Sequence, residues 1–195
     1  GIYPAALEQL ARTVRLIRQN AGEWHVRKDA IVITGFSAGG HLAAEYACKW
    51  DRPALSAAAE AEREELRPNA LVLGYPVITA GAAAHEESIH NLLGAQDTPK
   101  MRRSVSLETQ VSGCVPPVFL WHTATDEMVN AENSLLFASA LAREKIPYEL
   151  HIYGSGVHGV SLGTRATVGE EKHVSHGCAG WFAQAARFLE RVLHE

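Results

Sequence analysis

The chain has 195 residues, 47% hydrophobic and 21% charged, with a formal net charge of −4 and an isoelectric point near 6.2; that suits one domain, residues 1–195, with a single sizeable core. No Lys/Arg cluster points to nucleic acid or an anionic membrane as a partner, and no apolar stretch approaches the ~18 residues of a spanning helix. The three cysteines, Cys48, Cys114 and Cys178, are odd in number and far apart, so they read as free thiols of a reducing compartment and place the chain in the cytoplasm.

Pro4 stands where a first-turn proline belongs, and Leu7, Leu10, Ala11, Val14 and Ile17 follow at helical spacing. This predicts a helix to about Asn20, with Gly22 just beyond. Residues 30–34, AIVIT, are a short continuous apolar run, the pattern of a strand covered on both faces. Residues 38–50 read as an Ala- and Leu-rich helix, and the charged run 59–67, AEAEREELR, as a solvated helix face. ALVLGYPVI (70–78) is a second buried strand. A long irregular stretch, 79–115, follows, with helical patches around 84–93 and 98–104. PPVFLWHTA (116–124) is a third buried strand, 130–145 an amphipathic helix and YELHIYG (148–154) a fourth strand. Trp181, Phe182, Ala185, Phe188, Leu189 and Val192 mark a closing helix from about Ala179 to His194.

Strands that alternate with helices in this order imply an α/β class: an open, mostly parallel sheet with right-handed crossovers and helices on both faces. Ligands of such sheets bind beyond the carboxyl ends of the strands. Directly after the first strand comes Gly35-Phe36-Ser37-Ala38-Gly39, a G-x-S-x-G pentapeptide. Three fixed positions match by chance in roughly one chain of this length in fifteen, so the strand–turn–helix setting is what gives the motif weight. There the glycines make room for a tight turn that projects the Ser37 hydroxyl, the following helix aims its N-terminus at the reacting centre, and the Ala38 N–H can meet an oxyanion. Gly40 would let the helix start pack closely on the sheet.

A serine hydroxyl needs a base, and the chain offers ten histidines. In this architecture the partners follow in the order serine, acid, histidine, each on a loop after a strand. Asp126 lies just past the third strand and His158 in a glycine-rich loop past the fourth. These read as orienter and as general base and acid for the nucleophile Ser37. His41, within a helix, and His151, within a strand, read as structural. His122 sits near the strand end but precedes the acid. His173 and His176 form an H-x-x-H that no carboxylate or cysteine completes into a metal site, and Glu127 is the fallback acid.

With these residues in place the chain resembles the α/β-hydrolase superfamily, and within it bacterial acetyl-xylan and other carbohydrate esterases, neighbours of the hormone-sensitive-lipase-like group. The resemblance is carried by YPAALEQLARTVRLIR, VITGFSAGGHLAA, LVLGYPVI, PPVFLWHTATDEMVNAENSLLFASAL and IPYELHIYGSGVHGVSL. It implies hydrolysis of short acyl esters, often acetyl groups on sugars, with no cofactor and no metal, on a small-molecule ester substrate. A prolyl-oligopeptidase-type serine peptidase and a non-catalytic hydrolase-fold interaction module are the alternative readings. The resemblance also implies a glycine-rich HGGG-like loop that supplies a second oxyanion donor, and nothing before Pro4 matches it. The chain is therefore expected to be a fragment whose N-terminal strands are absent, with residues 30–34 open to edge-to-edge pairing in a homodimer. The segment 79–115 is expected to form a cap over the pocket.

Overall fold

The apolar runs become four strands, β1 (Val32–Phe36), β2 (Ala70–Gly74), β3 (Val118–Thr123) and β4 (Tyr148–Tyr153). All pair in parallel in the order β1-β2-β3-β4 in this computed structural model, which describes residues 1–167 and 177–194. Phe36 lies opposite Gly74, and Gly74 opposite Trp121, so the carboxyl ends of the strands share one edge and their following loops are neighbours.

The period-2 alternation of the strands divides the core. Ile33, Leu71, Leu73, Val118 and Leu120 face one side, where they meet α1 (Ala5–Gln19), α2 (Ala38–Lys49) and, through Phe137 and Leu141, α6 (Glu132–Arg143). Val72, Phe119 and Trp121 face the other side, against Trp181, Ala185 and Phe188 of α7 (Trp181–Val192). The Trp121 and Trp181 rings stack with centroids 5.0 Å apart. β2 and β3 are buried at every position. β1 departs from the expectation of cover on both faces: Ile33 is buried, Thr34 is exposed, and Val32 and Phe36 are half-buried. The reason is that α7 lies over β2 and β3, so the second face of β1 receives less cover.

The charged run 59–67 is not one helix. A short α3 (Pro53–Ala59) ends with Glu60 in the left-handed region at φ 51, and a separate 3-10 turn spans Arg63–Leu66. Its backbone carbonyls are spent elsewhere: the Arg18 guanidinium donates to those of Glu64, Glu65 and Arg67, and to that of Lys28. Leu66 is thereby drawn fully into the core.

The stretch 79–115 folds as α4 (Glu86–Leu93) and α5 (Pro99–Val105) with short 3-10 turns. It is pinned at its root by Asn133, which is fully buried. Asn133 Oδ1 accepts from the Ile78 and Thr79 N–H groups at 2.8 and 3.0 Å, and its Nδ2 donates to the Ala83 carbonyl at 2.9 Å. Arg102 ties the two helices by donating to Asp97 and Glu86, each at 2.7 Å. Among the described residues no helix is long and apolar enough to cross a membrane.

Because Phe188 is 2% exposed and packs on Phe119, Phe188→Ala is expected to destabilise the fold by about 3–5 kcal/mol in urea denaturation. A loss below about 1 kcal/mol would show that α7 does not seal this face.

Candidate active site

Ser37 follows β1 directly and holds φ 53 and ψ −123, a region that L-residues adopt only at a cost of about 1–3 kcal/mol. The neighbouring backbone over-determines that conformation. The Ser37 N–H donates to the Gly74 carbonyl at 3.1 Å, and the Ser37 carbonyl accepts from the Val77 and His41 N–H groups at 3.1 and 3.2 Å. A Cβ on Gly35 would sit 2.3 Å from the Gly39 carbonyl oxygen, and one on Gly40 would sit 2.7 Å from Pro76 Cβ. Gly39 itself has open space where a Cβ would stand. The steric demand therefore falls on Gly35 and Gly40, not on both glycines of the pentapeptide. Ser37 occupies the N-cap position of α2 without spending its hydroxyl on a cap, and Ala38 begins the first turn, whose N–H groups have no intrahelical acceptor.

The loops after β3 and β4 bring Asp126 and His158 to this serine. His158 Nε2 lies 2.8 Å from Ser37 Oγ, and His158 Nδ1 lies 2.7 Å from Asp126 Oδ2. The carboxylate only accepts, so Nδ1 carries the proton and Nε2 presents its lone pair to the serine hydroxyl. The Asp126 side chain is fully enclosed. Its Oδ1 accepts from the Met128 and Val129 N–H groups at 3.0 and 2.9 Å. Burial alone would raise the carboxyl, but the hydrogen bonds from His122, His158 and the Val129 N–H outweigh it and hold Asp126 well below the usual carboxylate range.

The histidine loop is clamped from two sides. Thr123 and Thr125 hydroxyls donate to the Gly156 carbonyl at 3.0 and 3.1 Å, and Thr125 Oγ1 accepts from the Gly156 N–H at 2.9 Å. From α7, Trp181 Nε1 donates to the Ser161 carbonyl at 2.8 Å. Behind His158 lies Tyr75, its ring 5.0 Å away edge-on and its backbone at φ 37. The sequence reading did not single out Tyr75; its position directly after the strand end at Gly74 was the available signal.

The competing residues fall elsewhere. His41 is buried and donates from Nδ1 to the Val77 carbonyl at 3.2 Å, and burial pushes its basicity down. His151 stacks on Phe119 and pairs with Glu149 at 3.2 Å. Glu127 is exposed. His122 is fully buried against Asp126, not against Ser37. His173 and His176 lie outside the described residues. Beside the elbow is a cavity of ≈ 330 Å³, walled by Ala38, Gly39 and Leu42 of α2, by Tyr3, and by Ile89 and Leu92 of α4.

A serine on the strand–helix elbow after β1, with an aspartate and a histidine on the loops after β3 and β4 of a parallel sheet, is the arrangement of an α/β hydrolase, and this chain has that fold. It belongs to the BD-FAE family, whose model matches residues 1–141, a span that includes Ser37 and Asp126 and ends short of His158. A carboxylesterase from Lactobacillus plantarum is similar at 33% identity and a TM-score of 0.84, over 98% of this chain and 69% of that one. An acetyl ester-xyloside bifunctional hydrolase from Caldicellulosiruptor lactoaceticus is similar at 37% identity and a TM-score of 0.75, over 94% of this chain and 67% of that one. Among curated relatives, an acetylxylan esterase of Xylanibacter ruminicola is 32% identical over 77% of this chain, and an endo-1,4-beta-xylanase B of Butyrivibrio fibrisolvens is 38% identical over 83%. The chain spans only 30% and 25% of the lengths of those two proteins.

Two outcomes follow from this geometry. Gly35→Ala is expected to cost about 1–3 kcal/mol or more in urea denaturation, because the clash is with backbone, while Gly39→Ala holds or raises stability; equal losses would contradict the steric assignment. Asp126 contributes stability that is present above its unfolded value and lost as pH falls below about 4. Asp126→Asn should therefore flatten the acid limb of the stability–pH curve, and an unchanged limb would mean that the carboxylate is not held ionised by the fold.

Proposed function

We propose that Ser37, His158 and Asp126 are nucleophile, general base and orienter of a serine esterase that cleaves short-chain acyl esters, acetyl esters on carbohydrate foremost, without a cofactor. The observation that carries this reading is the hydrogen-bonded series Ser37 Oγ to His158 Nε2 at 2.8 Å and His158 Nδ1 to Asp126 Oδ2 at 2.7 Å. The preference for acetylated sugars is supported by the names of the relatives, an acetylxylan esterase and an acetyl ester-xyloside hydrolase.

In this mechanism Ser37 Oγ passes its proton to His158 Nε2 as it attacks the ester carbonyl carbon. The Ala38 N–H, at the positive end of α2, meets the oxyanion that forms. Collapse breaks the bond to the alcohol, which leaves with the proton from Nε2. Water then gives a proton to Nε2 as it attacks the acyl-serine, and collapse of that intermediate releases the acid while Nε2 returns the proton to Ser37 Oγ. Asp126 keeps the ring in the Nδ1–H tautomer and stabilises the imidazolium without taking the proton. The segment 79–115 serves as the cap: its α4 residues Ile89 and Leu92 wall the cavity that opens beside Ala38, where the acyl group is held. A glycosidase reading, which two relatives' names invite, would require two carboxylates flanking a sugar. Asp126 is sealed behind His158 and cannot reach a glycosidic oxygen.

Ser37→Ala is expected to abolish turnover of a chromogenic acetyl ester, by about 10⁴-fold or more, with unchanged circular dichroism. A fluorophosphonate should label the unsubstituted protein at Ser37 alone. Wild-type rates in the Ser37→Ala protein would overturn the mechanism.

A further inference from the structure

His122 stands in β3, a strand buried at every position that ends in two polar residues, His122 and Thr123. Both nitrogens of the buried His122 imidazole have partners, and those partners fix its tautomer. Nε2 lies 2.9 Å from the Val129 carbonyl, which can only accept, so Nε2 carries the proton. Nδ1 lies 2.8 Å from Ser134 Oγ on α6 and accepts from that hydroxyl. The same Nε2 lies 3.4 Å from Asp126 Oδ2, the oxygen that takes the His158 Nδ1–H at 2.7 Å. Two imidazoles therefore converge on one carboxylate oxygen, while the other oxygen is occupied by the Met128 and Val129 N–H groups.

We infer that His122 is a positioning residue for the acid: its one Nε2–H, directed to the Val129 carbonyl at 2.9 Å, also stands 3.4 Å from Asp126 Oδ2, and through that proximity it tunes how strongly the carboxylate holds the His158 ring. The inference rests on the roles proposed above for Ser37, His158 and Asp126. His122 acts through Asp126 and lies on the far side of the carboxylate from the chemistry, so it is not itself a base. A carboxylate whose charge is divided between two donors gives less to each. Without His122, Oδ2 belongs to His158 alone, the bond between them strengthens, and the protonated form of the base is favoured. The base is then recovered only at higher pH. The Tyr75 phenol also faces this cluster across the His158 ring, and it is unchanged in the variants below.

The test compares three substitutions. His122→Phe and His122→Asn both remove the donor at the Nε2 position, the second with a polar side chain that still reaches Ser134. His122→Gln keeps an N–H at that position. One readout is the low-field proton signal of the His158 Nδ1–H, recorded by NMR on protein with nitrogen-labelled histidine. The other is kcat/KM for a chromogenic acetyl ester across pH. The Phe and Asn variants should move the signal further downfield and should lose about threefold more activity at about pH 5.5 than at about pH 8; the Gln variant should match the wild type in both. A purely structural His122 would lower stability equally at all pH values and leave the signal in place. Folded Phe or Asn protein with the wild-type signal, or a Gln variant that behaves like Phe, overturns the inference. If the wild type turns over no ester, the proposed activity falls, and the proton signal alone still decides the role of His122.

Discussion

A serine at φ 53 and ψ −123 has to be held there, because no L-residue settles in that region unaided. The hold comes from the strand before it and the segment after β2. The Ser37 N–H continues the ladder to Gly74, and its carbonyl is bound twice, by the first turn of α2 and by Val77. Gly35 and Gly40 remove the side chains that would otherwise keep α2 off the sheet and off Pro76. The strain is thus stored in one residue and offset by backbone hydrogen bonds around it, and the result is a hydroxyl that caps nothing and faces His158.

The second requirement is that two separate loops reach that hydroxyl. Phe36, Gly74 and Trp121 stand level across β1, β2 and β3, and β3 and β4 end together at Thr123 and Tyr153, which brings the loops after β3 and β4 to the same edge as the elbow. The loop carrying Asp126 folds back on its own backbone N–H groups, so the carboxylate is fixed before any histidine meets it. The loop carrying His158 is tied to Thr123 and Thr125 on one side and to Trp181 on the other. Trp181 also stacks on Trp121 in the core. The helix that closes the second face of the sheet therefore also sets the position of His158, so packing and site geometry are one problem in this region.

The positions of Ser37, Asp126 and His158 were legible in the sequence because each lies within a few residues of a predicted strand end: apolar runs mark the ends before Ser37 and Asp126, and the alternating YELHIYG marks the one before His158. The steric detail of the elbow was not. The pentapeptide counts Gly35 and Gly39, yet the close contacts belong to Gly35 and Gly40, since they depend on where Pro76 and the Gly39 carbonyl lie in space. The fate of 59–67 was hidden for a related reason: its charges suit a solvated helix, but Arg18, more than forty residues earlier, claims the carbonyls that a helix would have used. His122 was dismissed as a base because it precedes the acid. A histidine inside a buried strand has to find partners, and His122 finds them in Ser134 and in the Val129 carbonyl of the acid's own loop, which leaves Nε2 3.4 Å from Asp126 Oδ2. The half-exposed second face of β1 depends on where α7 lands, which no local pattern encodes.

If Ser37 is the nucleophile, turnover passes through a covalent acyl-enzyme. The most direct measurement is intact-protein and peptide mass spectrometry of the protein quenched in acid during steady-state turnover of an aryl acetate. An acetyl group mapped to Ser37, formed and lost at rates that match turnover, is the result that this account predicts. Turnover that proceeds with Ser37 unmodified, or with the acetyl group on another residue, would contradict it.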